Sequence, residues 1–398
     1  MSRTLRPSAV LGFLATLTAA TLTLGACGSS GPAEISRTAA SYSVPTSATA
    51  ASTASAAPHL RKAKPGAKPK TRPRVRVLRI VAKNLRVPWG IAELPNGRVL
   101  VGSRDTGRIY RLNVKRDRRT AVGSVAASVS NASIDGEGGL LGLAVSPRFA
   151  TDHRVYVYFS TRKDNRIGWM TYRRGRLSQP HVILAGIPHG VHHNGGRLAF
   201  GPDGMLYAGT GETMVKSLAQ KKSSLGGKIL RMTPAGKPAP GNPFGSVVYT
   251  YGHRNVEGLA FDPSGRLWAS ELGDHAVDEL NLIRAGHDYG WPATQGKTAN
   301  PKYTGPVRQW GTSVDSPSGI AYAHGAIWMA ALHGERLWRI PIHGVHAGKP
   351  RAFLVRRYGR LRSVLALRPH RLLVTTSNRD GRAPAHRRDD RVLLVKVR

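Results

Sequence analysis

GRLAFGPDGMLYAGTGE, residues 196–212, reads as two short apolar strands joined by a tight Gly-Pro-Asp-Gly turn. The same pattern recurs as GIAELPNGRVLVGS from Gly90, GLAVSPRFATDHRVYVYFS from Gly142, GLAFDPSGRLWASELG from Gly258, GIAYAHGAIWMAALH from Gly319 and SVLALRPHRLLVTTSN from Ser363. The six starts are separated by 52, 54, 62, 61 and 44 residues, the size of one four-stranded unit. A single such sheet has two apolar faces and open edges. Six packed radially bury the faces and leave only short protected edges. The expected fold is therefore all-β, a six-bladed β-propeller of four-stranded antiparallel sheets over residues 78–398. In such a ring, ligands sit over the central channel, so the informative residues should lie between the repeats at matching offsets.

The rest of the chain has a different character. Arg3 and Arg6 precede an apolar stretch from Val10 to Ala26 that ends in Leu-Gly-Ala-Cys at Cys27. This resembles a bacterial lipoprotein signal peptide, 1–27, with Cys27 as the lipidated residue of an exported, membrane-anchored protein. Residues 28–77 are expected to form a tether. The first part is Ser, Thr, Ala, Gly and Pro without hydrophobic period, and from Arg61 to Arg76 there follow eight Lys or Arg and no acid. The natural partners of that run on an exported protein are anionic lipid headgroups or envelope polymers. Nucleic acid is not expected, because no aromatic side chains are interleaved for base stacking. Over the whole chain, 60 Lys and Arg stand against 22 Asp and Glu, a net charge of +38. The lone cysteine excludes an intramolecular disulfide framework and any CxxC site.

Five of the 22 carboxylates fall between Glu271 and Asp288, in SELGDHAVDELNLIRAGHDYGWP. Clustered carboxylates and the carbonyls of Gly-containing turns suit a hard cation such as Ca²⁺. Just upstream, Arg254 and Asn255 in YGHRNVEG offer a fork of donors and an amide, able to neutralise a developing oxyanion or hold a carboxylate. His189, His192 and His193 lead into the third repeat, but no acid stands at HExxH spacing, which favours a single imidazole acting as general base over a zinc site. The glycine-rich segments 134–147 and 224–232 are not phosphate loops: GGK lacks a following Ser or Thr.

Taken together and in order, GEGGLLG, HHNGGRLAFGPDGMLYAGTGE, GGKILRMTPAG, GHRNVEGLAFDPSGRLW, ELGD, DELNLIRAGHDYGWP and SPSGIAY resemble the soluble pyrroloquinoline quinone (PQQ) dehydrogenases of the glucose/sorbosone and aldose sugar dehydrogenase family. That family is a six-bladed propeller. The resemblance implies that His193 is the general base, and that Arg254 and Asn255 contact the reactive quinone carbonyls. Gly273 and Asp274 would hold the catalytic Ca²⁺, and Glu279 and Tyr289 a second, structural Ca²⁺. Arg360 and Arg362 would face the quinone and its carboxylates, with Glu137 near the cofactor and Glu212 near the sugar. Two positions depart from the pattern. His333 stands where some members carry a Lys toward the cofactor, and His192 where glucose oxidisers have an acid toward the sugar.

The implied activity is hydride transfer from the anomeric carbon of an aldose to the quinone, giving a lactone, with electrons leaving to an external acceptor. The competing functions are a non-catalytic propeller lipoprotein that binds envelope glycan or a protein, and a calcium-dependent hydrolase of the lactonase type.

Overall fold

A computed structural model describes residues 73–116, 118–125 and 136–398. The expected signal segment 1–27 with Cys27, and the expected tether up to residue 72, lie outside the described residues. Six antiparallel sheets follow one another, and each innermost strand is the first strand of a sequence repeat: Pro88–Glu93, Leu140–Val145, Leu198–Phe200, Val256–Phe261, Pro317–Ala323 and Leu361–Leu367. Each blade then steps outward strand by strand, as in the fourth, where Leu267–Glu271, Val277–Ile283 and Arg308–Gly311 follow. This is the six-bladed propeller that the repeats imply.

The sixth sheet is completed from both ends of the domain. Its outermost strand is Val75–Ala82, paired antiparallel with Val392–Val397 so that Val75 faces Val397. This strand begins ahead of residue 78, where the alternating pattern becomes visible in sequence. Joining the first strand to the last sheet closes the ring with main-chain hydrogen bonds and leaves no unpaired first strand.

The small residue that opens each repeat has a steric cause. A Cβ on Gly90 would stand 2.5 Å from Leu141 O, on Gly258 2.5 Å from Ser318 O, and on Gly319 2.8 Å from Ser363 Cα, while one on Gly142 would collide with Gly196 O. The innermost strands of adjacent blades therefore approach backbone to backbone around the axis. Ser363, the one repeat start that is not glycine, turns its hydroxyl to the carbonyl of Trp89 at 2.6 Å and links the sixth blade to the first. Arg197 lies across the same axis: Nε donates to Glu257 O at 2.6 Å, Nη2 to Ser363 Oγ at 3.1 Å, and the guanidinium lies 4.0 Å from the Trp89 ring.

Six apolar clusters fill the spaces between blades, such as Trp268, Leu280, Ile327 and Met329 between the fourth and fifth. Each fully buried aliphatic or aromatic side chain contributes about 1.5–3 kcal/mol of transfer free energy. Neighbouring strands are antiparallel, so the start of every innermost strand and the end of the second strand share one end of the ring. All the loops that carry chemistry open at that end, the mouth.

Candidate active site

His193 sits in the turn before the third innermost strand, with φ at 54° and 8% of its surface exposed. Its carbonyl accepts the Thr213 N–H, and a Cβ at Gly211 would collide with that carbonyl, which explains a glycine there. Its Nδ1 lies 2.7 Å from Glu212 Oε1. Glu212 lies three residues past the second strand of the same blade, Leu206–Gly209, is 1% exposed, and its Oε2 has no partner among the described residues. A carboxylate on Nδ1 selects the tautomer that leaves Nε2 without a proton, the form a general base requires. The sequence reading places Glu212 near the sugar; in the structure its carboxylate orients the imidazole.

The His193 N–H donates to Glu137 Oε2 at 2.7 Å. Burial raises the Glu137 carboxyl, but Arg382, His193 and His192 outweigh it and hold the pKa below the ordinary carboxylate value. Arg382 also lies 3.4 Å from Glu137 Oε1 and 3.2 Å from His192 Nδ1. Reaching from the sixth blade to the loops before the second and third, it ties together opposite parts of the mouth. No sequence signal marked Arg382, which falls in the otherwise unpatterned GRAPAHRR.

Beneath these residues is a cavity of about 220 Å³ whose lining includes Glu137, Glu257, His333, Arg360, Arg362 and Arg382. Arg362 is 2% exposed; its Nη1 meets Glu257 Oε2 at 3.0 Å, its Nη2 Asp380 Oδ2 at 3.2 Å, and its Nε donates to Ser377. Arg360 Nε meets the same Asp380 oxygen at 3.0 Å. Burial pulls the Arg362 pKa down, yet Glu257 and Asp380 reverse it and leave it raised. Glu257 and Asp380, like Arg382, were not singled out in the sequence. Carboxylates are needed there because buried guanidiniums require partners.

Arg254 and Asn255 stand at the start of the fourth innermost strand. The Arg254 N–H donates to Glu271 Oε1 at 2.5 Å, Nη2 to Asp274 Oδ1 at 3.0 Å, and its Nε is buried without a partner among the described residues. Asn255 uses Oδ1 to accept the Gly195 N–H at 2.9 Å, while its buried Nδ2 has no partner among the described residues. These are two orphaned donors at one place, each costing about 1–3 kcal/mol unless something fills them. His253, between Thr250 and Glu271, holds Glu271 in place with Nδ1 at 2.8 Å from Oε2.

The proposed metal residues gather beside Arg254, around a small recess lined by Glu271, Gly273, Glu279 and Tyr289. Leu272 lines both this recess and the larger cavity, so the two adjoin. Gly273 donates its N–H to Asp278 Oδ1. Asp274 is shared by Arg254 and by Lys216, whose Nζ is 3.1 Å from Oδ2. Glu279 faces Glu271 directly across two strands, and burial and the Glu271 charge push its carboxyl up to about 7. The Tyr289 hydroxyl is occupied, donating to Leu282 O and accepting from Arg284 N–H, so the atom it can offer a cation is its backbone carbonyl. Among the described residues no three His, Cys, Asp or Glu side chains are grouped to hold a metal ion, and any ion here needs main-chain oxygens.

Lys228, in the glycine-rich segment 224–232, donates to the carbonyls of Leu218, Ala219 and Gly226 at 2.7, 2.9 and 2.7 Å. It pins the turn that carries Lys216, and its three donors are engaged by these carbonyls.

Residues 85–388 match the family model described as Glucose / Sorbosone dehydrogenase. The PQQ-bound form of aldose sugar dehydrogenase from Streptomyces coelicolor is 53% identical, superposes with a TM-score of 0.80, and covers 83% of this chain and 100% of that one. Quinoprotein glucose dehydrogenase B of Acinetobacter calcoaceticus is 33% identical over 55% of this chain and 52% of that protein. An uncharacterized protein of Synechocystis is 33% identical over 62% of this chain and 68% of its own length. The chain thus spans about half to two thirds of these two curated relatives. Fold, repeat order and the match over residues 85–388 agree: the chain belongs to the glucose/sorbosone dehydrogenase family.

Proposed function

We propose that the protein is a PQQ- and Ca²⁺-dependent sugar dehydrogenase that oxidises an aldose at its anomeric carbon to a lactone and passes the electrons to an external acceptor. The observation that carries this reading is the buried His193–Glu212 pair beside a cavity lined by three arginines. The residues present suit the cofactor. PQQ is a planar tricarboxylate; Arg360, Arg362 and Arg382 supply charge for carboxylates, and the orphaned Arg254 Nε and Asn255 Nδ2 are the donors its carbonyls would satisfy. They suit a cation too, because burial and the neighbouring Glu271 charge raise the Glu279 carboxyl, and a positive ion beside the two carboxylates would offset both causes. When bound, the quinone supplies the two-electron oxidant and Ca²⁺ a Lewis acid beside it.

The chain's own residues then have separable tasks. His193 Nε2 takes the proton of the anomeric hydroxyl, and Glu212 holds the proton on Nδ1 and stabilises the imidazolium that results. Arg254 and Asn255 place hydrogen bonds where negative charge grows during oxidation. Gly273 and Asp274 would serve the catalytic ion, and Glu279 and the Tyr289 carbonyl the structural one. His192 and Arg382, at the rim, are positioned to select the sugar. Export and lipidation at Cys27 belong to the same reading, since they place the site where sugar and acceptor are accessible.

Purified protein loaded with PQQ and Ca²⁺ should reduce an artificial dye with at least one of a panel of aldoses. Absence of dye reduction with every sugar, together with tight binding of envelope glycan, would replace this reading with a non-catalytic one.

A further inference from the structure

At the end of the ring away from the mouth, the closing sheet carries an unusual row of charge. Arg76, Lys396 and Arg371 lie directly opposite one another on three adjacent strands, in the pairings Arg76 with Lys396 and Lys396 with Arg371. Directly paired residues of antiparallel strands project to the same face, so three cations stand abreast. Arg74 and Arg398 extend the group and, with Arg76 and Lys396, line a cleft of about 260 Å³. Arg74, Arg76, Arg371 and Arg398 are exposed. Among the described residues none of the five pairs with a carboxylate. In the fourth blade the residue at the place of Arg371 is neutralised: Arg266 meets Asp262 at 2.7 Å.

Like charges directly opposite across a sheet destabilise it. Among the described residues no side-chain carboxylate offsets that cost by an ion pair at this corner. The mouth is at the other end of the same strands: Arg371 begins the strand Arg371–Thr376, and Ser377 and Asp380, which hold Arg362, follow its far end. That separation is roughly 17 Å along the strand. The chain enters the domain at this corner, where the basic run Arg61–Arg76 ends within the strand Val75–Ala82.

We infer that this corner docks the domain onto an anionic phospholipid surface, with the cofactor mouth facing away from the bilayer. A phosphate-rich lipid plane supplies many negative charges at once to a row of cations that no single small anion would span. The lipid surface is preferred over a soluble polyanion because the sequence reads Cys27, 47 residues ahead of Arg74, as a lipidation site. Docking does not depend on which sugar, if any, the mouth oxidises, so its test is independent of the proposed activity.

The experiment compares the full chain with a triple variant, Arg76→Glu, Arg371→Glu and Lys396→Glu, in flotation with phosphatidylcholine vesicles with and without phosphatidylglycerol. The leader is the same in both proteins, so the difference between them reads the corner. The triple variant should bind phosphatidylglycerol vesicles roughly ten-fold or more weakly, high salt should erase the difference, and binding to pure phosphatidylcholine should be equal. A single Arg371→Gln variant should show an intermediate loss and a raised unfolding temperature, because one of the row's two repulsive pairs is removed without loss of packing. Equal binding of parent and both variants to phosphatidylglycerol vesicles overturns the inference. So does a parent that binds soluble polyphosphate through these residues yet ignores the vesicles.

Discussion

Glu212 Oε1 stands 2.7 Å from His193 Nδ1, and the other Glu212 oxygen is buried with no partner among the described residues. The pair is built from two turns of one blade and fixes which imidazole nitrogen is free. Glu212→Gln keeps the shape and removes the charge that stabilises a protonated ring. Turnover with sugar should fall about 100-fold or more while PQQ binding, followed by titration of the cofactor's absorbance, is retained. Unchanged turnover would show that the Glu212 charge does not assist proton transfer to His193.

Arg362 lies between Glu257 and Asp380 at the floor of the cavity. Arg362→Met should destabilise the domain by about 3–5 kcal/mol in denaturant unfolding, because it leaves the buried Glu257 carboxylate without its guanidinium partner and Asp380 with Arg360 alone. It should also weaken PQQ binding.

The ring axis gives a matched pair of glycine substitutions. Gly142→Ala drives a methyl into Gly196 O and should cost about 1–3 kcal/mol, read as a lowered unfolding temperature. Gly204, in a hairpin turn at φ +74° with open space around its missing Cβ, should cost about 1 kcal/mol on replacement by alanine, through backbone strain alone.

Acid should unfold the domain partly through Asp380. Burial raises this carboxyl, but Arg360 and Arg362 more than compensate, so its folded pKa lies below the unfolded value. Its stabilising contribution is complete above the unfolded pKa of about 3.9 and fades as pH falls through the folded value. The unfolding temperature of an Asp380→Asn variant should therefore depend less on pH in the acidic range than that of the parent.

Calcium should stabilise the apo-protein through Glu279. At about 100 times its dissociation constant, a ligand that binds only the folded state adds about 2.7 kcal/mol. Calorimetry should show a calcium-dependent rise in unfolding temperature that a chelator reverses and Glu279→Gln abolishes. A parent protein insensitive to calcium would remove the structural ion from the proposal.

Much of the architecture was legible because a repeat is a local signal. Gly90, Gly142, Gly196, Gly258 and Gly319 each sit in or immediately before an innermost strand, and the steric need for a small residue at the axis recurs in every unit. The start at Val75 was not legible, because the strand Val75–Ala82 finds its partner only at Val392–Val397, and a basic run masks its alternation. His193, Arg254, Asn255, Arg360 and Arg362 were legible through the family motifs. Arg382, Glu257, Asp380 and His253 were not, since their importance lies in partners that no local pattern indicates.

By itself, the sequence determined six hairpin-bearing units, the small residues that let them meet, and a set of chemically apt side chains placed between them. Tertiary structure alone decided how those side chains are used. It set Glu212 on Nδ1 of His193, carried Arg382 across 190 positions to His192, and brought Glu257 to Arg362 across 105. The physical reason is that strand pattern and turn chemistry act between near neighbours, whereas protonation state and ion pairing depend on which distant loops the closed ring brings within about 3 Å of each other.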